Sequence, residues 1–230
     1  MAAATRRRIQ NEPLRKSQIR AGGKKLTPMS ATNRGSTRRD NDAYATPAWA
    51  VRRFLEEMKQ GKSLARPESI RDPGAGSGIL LQVARDFFPD SKLSAIEIRP
   101  ECQENLSRIT QDVTITDYLT ASDCPFVDLT LMNPPYSLAM QFVQKALSHS
   151  TWVIALLRLN WLAAEKRYAF LRQNTPDVYI LPNRPSFTML GTDMTEYAWM
   201  AWGAHSRNGV AGKIKLLEVT PLGERRCATK

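Results

Sequence analysis

The sequence predicts an α/β fold built on a doubly wound, mostly parallel sheet. Three observations lead there. Short apolar runs that end on a polar residue alternate with amphipathic segments of helical period. Two rigid corners, "DPGAGSG" over residues 72–78 and "NPPY" over 133–136, each join a strand-like segment to a helical pattern. A chain of 230 residues with 42% hydrophobic side chains can build a substantial core for one such domain plus an appendage.

The elements follow in order. After Thr46-Pro47, the apolar residues Val51, Phe54, Leu55 and Met58 recur at helical spacing up to Gly61. A short strand ends at Asp72, the glycine loop follows, and "ILLQVARDFF" is helical. "KLSAIEI" alternates as a second strand ending at Glu97, and Pro100 opens a helical first turn. "DVTIT" is a third strand with Asp117 just beyond it, and "FVDLTLM" a fourth that lands on Asn133. "SLAMQFVQKALSHS" is a helix, "TWVIALL" a fifth strand, and "WLAAEKRYAFLRQN" a helix. "DVYIL" and "YAWMAWG" are the sixth and seventh strands, close enough in sequence to suggest one antiparallel edge hairpin. Trp199 and Trp202 are expected in the core of the last of these. The tail, 204–230, is polar and basic, with "KIKLLEV" as one possible edge strand. The expectation is seven strands with helices on both faces, with Asp72, Glu97, Asp117 and Asn133 all at carboxyl strand ends, where open α/β sheets bind ligands.

Composition narrows the classes of function. No apolar run approaches the ~20 residues of a membrane span, so a soluble, cytoplasmic protein is expected. Three scattered cysteines and two histidines fit neither a disulfide framework nor a metal centre. The net charge of +11 is concentrated in residues 1–40, where eleven basic residues face Glu12 and Asp40. The remaining 190 residues carry 22 basic and 20 acidic side chains. The segment 1–40 has few large apolar residues and is expected to be a disordered arm. Its cations, among them Arg6, Arg7, Arg8, Lys24, Lys25, Arg38 and Arg39, suit nucleic-acid phosphates. A solvated tail or a targeting segment has the same composition. The domain expected behind the arm runs over 41–203, with 204–230 as an extension.

Charge also selects among nucleotide ligands. Gly74, Gly76 and Gly78 let the main chain turn and a ligand approach, and Glu97 can accept ribose hydroxyls. The spacing is G-x-G-x-G after Asp72-Pro73 rather than G-x-G-x-x-G, and no G-K-[ST] follows. A carboxylate at Asp72 repels a pyrophosphate and suits the sulfonium or ammonium of S-adenosylmethionine.

At "NPPY", the Asn133 side-chain oxygen and the Pro134 carbonyl offer two acceptors on a backbone stiffened by Pro134 and Pro135. Such a pair can hold both hydrogens of an exocyclic amino group, and the Tyr136 ring can stack on a base.

"DPGAGSG", "IEI", "NPPY" and "RPSF…DMTEYAWMAW", in this order, resemble the DNA N6-adenine methyltransferases of phage and restriction–modification type, over roughly residues 40–203. The resemblance implies a Rossmann-like class I methyltransferase fold, S-adenosylmethionine as cofactor, and duplex DNA with a flipped adenine as substrate. It places Tyr44, Thr46 and Pro47 over the methionine end of the cofactor. Glu97 and Ile98 fall on the "IEI" motif, Asp117 by the cofactor adenine, and Phe187 against the target base. Arg184, with Asp193, falls in the loop left to touch DNA. With no separate target-recognition region in view, low sequence specificity is expected. The same tetrapeptide also serves RNA adenine-N6, RNA guanine-N2 and protein-glutamine methyltransferases, and these stand as alternatives, with a non-catalytic DNA-binding protein of this fold.

Overall fold

Alternating faces on each strand decide the layering. In the computed structural model, which describes residues 46–61, 64–187, 195–203 and 212–226, eight strands form one sheet. They are β1 Ser69–Asp72, β2 Lys92–Glu97, β3 Asp112–Ile115, β4 Val127–Met132, β5 Ser150–Arg158, β6 Asp177–Ile180, β7 Tyr197–Trp202 and β8 Ile214–Leu216. The spatial order is β3-β2-β1-β4-β5-β7-β6-β8. All neighbours run parallel except β7, which is antiparallel to both β5 and β6.

The helices are α1 Ala48–Gln60, α2 Ile79–Phe87, α3 Gln103–Ser107, α4 Ala139–His149, α5 Tyr168–Gln173 and α6 Leu222–Arg226. Helices α1 and α2 bury Phe54, Leu55, Leu81 and Ala84 with Ile154, Leu156, Tyr197 and Trp199 on one face. Helix α4 buries Phe142, Val143 and Ala146 with Val153, Leu157, Met200 and Trp202 on the other. Strand β7 thus feeds both cores, which is why "YAWMAW" is apolar throughout. Trp199 stacks on Phe54 at 5.1 Å and its indole N–H donates to the Ala50 carbonyl at 3.0 Å, locking α1 to the sheet. None of the helices among the described residues is long and apolar enough to cross a membrane.

The possible edge strand of the tail forms, since Ile214–Leu216 pairs in parallel with Val178–Ile180 and adds an eighth strand to the seven expected. The antiparallel hairpin of β6 and β7 therefore sits one strand inside the edge. Strand β8 is three residues long and fully exposed, and main-chain bonds rather than burial hold it: Val178 N–H to Lys213 C=O at 2.7 Å and Leu217 N–H to Ile180 C=O at 3.0 Å. The helix expected over "WLAAEKRYAFLRQN" is broken, into two single turns at Leu159–Leu162 and Glu165–Arg167 followed by α5. Arg167 folds back there: its Nε–H donates to the Trp161 carbonyl at 2.5 Å and its guanidinium lies 5.0 Å from the Trp161 ring. Trp161 is thereby pinned edge-on to Trp202, 6.0 Å away.

The strand order reverses between β1 and β4. Asp72 ends β1 and Asn133 follows β4, so both stand at the switch point where such sheets open a ligand crevice.

Candidate active site

The glycine loop turns through backbone conformations that other residues rarely adopt. Gly76 and Gly78 have φ of 54° and 80°, and a Cβ on Gly78 would lie 2.3 Å from the Ile109 side chain. The Gly78 N–H donates to the Ala75 carbonyl at 2.7 Å and the Ala75 N–H to the Ile96 carbonyl at 3.1 Å, tying the loop to β2.

Two carboxylates flank this loop in opposite electrostatic states. Asp72 is buried, accepts only the Gly74 N–H at 3.2 Å, and has no partner for Oδ2. Burial pushes its carboxyl up to about 8, with the Gly74 N–H pulling it down and the nearby Glu97 charge adding to the rise. Burial would also raise Glu97, but the hydrogen bonds from Arg99 and Gly76 outweigh it and hold that carboxyl below its ordinary value. Glu97 Oε2 accepts the Gly76 N–H at 2.6 Å, and Oε1 accepts the Arg99 N–H at 3.1 Å and its Nε–H at 2.8 Å.

S-adenosylmethionine fits this donor set. A sulfonium or ammonium beside Asp72 Oδ2 would supply the missing partner and the missing positive charge. Ribose hydroxyls would meet Glu97, sharing or displacing Arg99. Ile98, next in the chain, is 49% exposed and offers an apolar face for a purine. Asp117 lies beyond β3, half-buried, with Oδ1 accepting the Leu119 N–H at 2.9 Å. Pro47 caps the start of α1, and Pro73 rigidifies the first step of the glycine loop. Tyr44 lies outside the described residues.

The "NPPY" corner leaves β4 at Asn133. The Asn133 Nδ2–H donates to the Thr46 Oγ1 at 2.9 Å, so a residue two positions before α1 fixes the amide plane. This leaves Asn133 Oδ1 as a buried acceptor with no partner. Pro134 and Pro135 carry the chain out of the sheet, and the Pro135 carbonyl accepts the Leu138 N–H at 2.9 Å to begin the turn into α4. Tyr136 then packs at 5.7 Å from Tyr197, with its ring plane tilted 43° to that of Tyr197. Phe187 is buried against the same tyrosine, edge-on at 5.0 Å. Trp199 and Trp202 are wholly buried.

Among the cations expected to meet a nucleic acid, Arg184 is exposed and pairs with Glu196 at 2.5 Å. Arg6, Arg7, Arg8, Lys24, Lys25, Arg38 and Arg39 lie outside the described residues, as does Asp193.

Two relationships were not visible in the sequence. Thr46, expected at the cofactor, also grips Asn133. Arg158, the last residue of β5, places its guanidinium 4.8 Å from the Tyr136 ring centroid. Its position at a carboxyl strand end was the signal available for finding it.

No family model matches the chain. Over 106 residues it is 37% identical to the type II methyltransferase M.XamI of Xanthomonas campestris pv. amaranthicola, a stretch covering 41% of this chain and 19% of that relative. The chain thus matches about a fifth of the relative's length. Among solved structures, the methyltransferase subunit of a type I restriction-modification system from Streptococcus thermophilus superposes with a TM-score of 0.60 at 15% identity, over 80% of this chain and 51% of that one. A Pyrococcus horikoshii protein described as an RNA methyltransferase superposes with a TM-score of 0.54 at 19% identity, over 70% of this chain and 86% of that one. The shared fold is that of the class I S-adenosylmethionine-dependent methyltransferases.

Proposed function

We propose that this protein transfers a methyl group from S-adenosylmethionine to the exocyclic N6 of adenine in DNA. The observation that carries the reading is Asn133 Oδ1, a buried acceptor without a partner at the switch point, its amide held by Thr46. A buried acceptor left open is unfavourable unless something supplies a donor. An amino group is the donor that its place beside the cofactor loop calls for.

When bound, S-adenosylmethionine supplies an electrophilic methyl group on a positively charged sulfur. The protein's own part is positioning. Asn133 Oδ1 and the Pro134 carbonyl each accept one amino hydrogen, drawing the nitrogen lone pair out of conjugation with the ring. The two prolines hold the acceptors in place, so the geometry is set before the substrate arrives. Tyr136 offers a ring for the base, and Phe187 supports it from behind through Tyr197. Asp72 and Glu97 bind at the two ends of the cofactor. The methylated nitrogen is acidic enough to lose its proton to water, so no side chain need act as base.

The type II relative and the restriction–modification neighbour support DNA as the polymer; low sequence specificity is part of the proposal. The domain limits proposed are 41–203 for catalysis and 204–230 for an extension, with the arm 1–40 on the phosphate backbone. The test is to incubate the protein with methyl-labelled S-adenosylmethionine and DNA, RNA or protein extract, then digest the DNA to nucleosides. Label in N6-methyladenine is the expected result. Label in RNA or protein alone would overturn the proposal.

A further inference from the structure

Among the described residues Arg158 is a cation without an anionic partner beside the proposed base site. It is half-buried at the carboxyl end of β5, paired across the sheet with Tyr197. Its Nε is buried without a hydrogen-bond partner. Arg99 pairs with Glu97 and Arg184 with Glu196, while Arg71, buried in β1 beside Asp72, also leaves its Nη1 without a hydrogen-bond partner. Among the described residues no carboxylate pairs with Arg158, whose recorded interaction is with the ring of Tyr136.

Withdrawing a guanidinium from water without an anion is unfavourable, and a ring face compensates only in part. The planar fork of an arginine matches the oxygens of a phosphate. Strands β4 and β5 run parallel with Met132 beside Ala155, so Asn133 and Arg158 leave the same end of the sheet on adjacent strands. The Asn133 acceptor, the Tyr136 ring and the Arg158 cation therefore gather at one end of the sheet, where a nucleotide would present its base and its phosphate.

From this we infer that Arg158 binds a phosphodiester flanking the methylated nucleotide, which makes the substrate a polynucleotide rather than a protein side chain. The inference rests on the methyl-transfer reading and deepens it.

The test compares wild type with Arg158→Met and Arg158→Lys by fluorescence anisotropy on a DNA duplex over a series of salt concentrations. Losing one phosphate contact should lower the slope of log K against log salt by about 0.9 for Arg158→Met. Arg158→Lys should keep the slope and bind more weakly, since a point charge replaces a fork. The KM for DNA should rise in Arg158→Met, with cofactor affinity unchanged. A wild-type slope and KM in Arg158→Met would overturn the inference. Should that variant fail to fold, methylphosphonates on both sides of the methylated adenine test the wild type directly, and undiminished affinity would overturn the inference in the same way. Wild type that labels only protein would defeat the methyl-acceptor reading itself. Wild type that labels DNA, with no effect of Arg158→Met, would defeat this inference alone.

Discussion

Asn133 and Thr46, 87 residues apart in sequence, meet through one hydrogen bond of 2.9 Å from Nδ2 to Oγ1. The bond decides which end of the amide faces the crevice. Thr46→Val removes the hydroxyl at nearly constant shape. It should lower kcat by about 10- to 100-fold, a loss of the size that misplacing a reacting group produces. Cofactor affinity measured by calorimetry should stay within experimental error, and Thr46→Ser should restore kcat. A parallel loss of cofactor binding would return Thr46 to the cofactor site alone.

Asn133→Ala deletes the acceptor itself. Methyl transfer should fall by about 10²–10³-fold or more, comparable to removing a preorganised polar group at a reacting atom. Binding of S-adenosylmethionine should persist. Near-normal turnover in this variant would mean that the amino group is held elsewhere.

Asp72 should make cofactor binding a proton-linked event. Its carboxyl stands at about 8 against an ordinary 3.8, so it is largely protonated in the free protein at neutral pH. A cation brought against it should drive that proton off. Calorimetry at about pH 6.5 in buffers of different ionisation enthalpy should show proton release on binding. The same raised value means that the Asp72 contribution to folding is complete below 3.8 and is lost as pH rises through 8. Asp72→Asn should therefore raise the melting temperature of the cofactor-free protein above that pH and abolish the proton release.

Gly78→Ala tests the loop. A left-handed φ of 80° and a Cβ 2.3 Å from Ile109 should together destabilise the fold by about 1–3 kcal/mol. Thermal melting reads this directly, and an unchanged melting temperature would show that the loop can rearrange.

Deleting residues 1–39 should weaken DNA binding and flatten its salt dependence if the arm lies on phosphates. An unchanged salt slope would give the arm another role.

The parts of this site that were legible in the sequence are local. Glu97 and Asn133 end largely apolar strands and Asp72 a short one, and the glycines and prolines beside Asp72 and Asn133 announce turns whatever the rest of the chain does. The sheet was legible for the same reason, since β5 and β7 carry their burial in unbroken apolar runs. Strand β8 gave a weaker signal, because Ile214–Leu216 is exposed and held by main-chain bonds to β6. The break at 159–173 was hidden because Arg167 reaches back to Trp161, a contact that no period reveals. The partners of Asn133 and Tyr136 were hidden because Thr46 and Arg158 come to them only through the tertiary fold.

Strand β7 has one more consequence. Tyr197 braces Tyr136 and Phe187, while Trp199 and Trp202 on the same six-residue strand fill the cores on opposite faces. The floor of the proposed base site is therefore not a separable loop that can soften while the scaffold persists. Heat inactivation and loss of tryptophan fluorescence should trace a single curve, and variants selected for a different acceptor base should arise around this strand rather than within it.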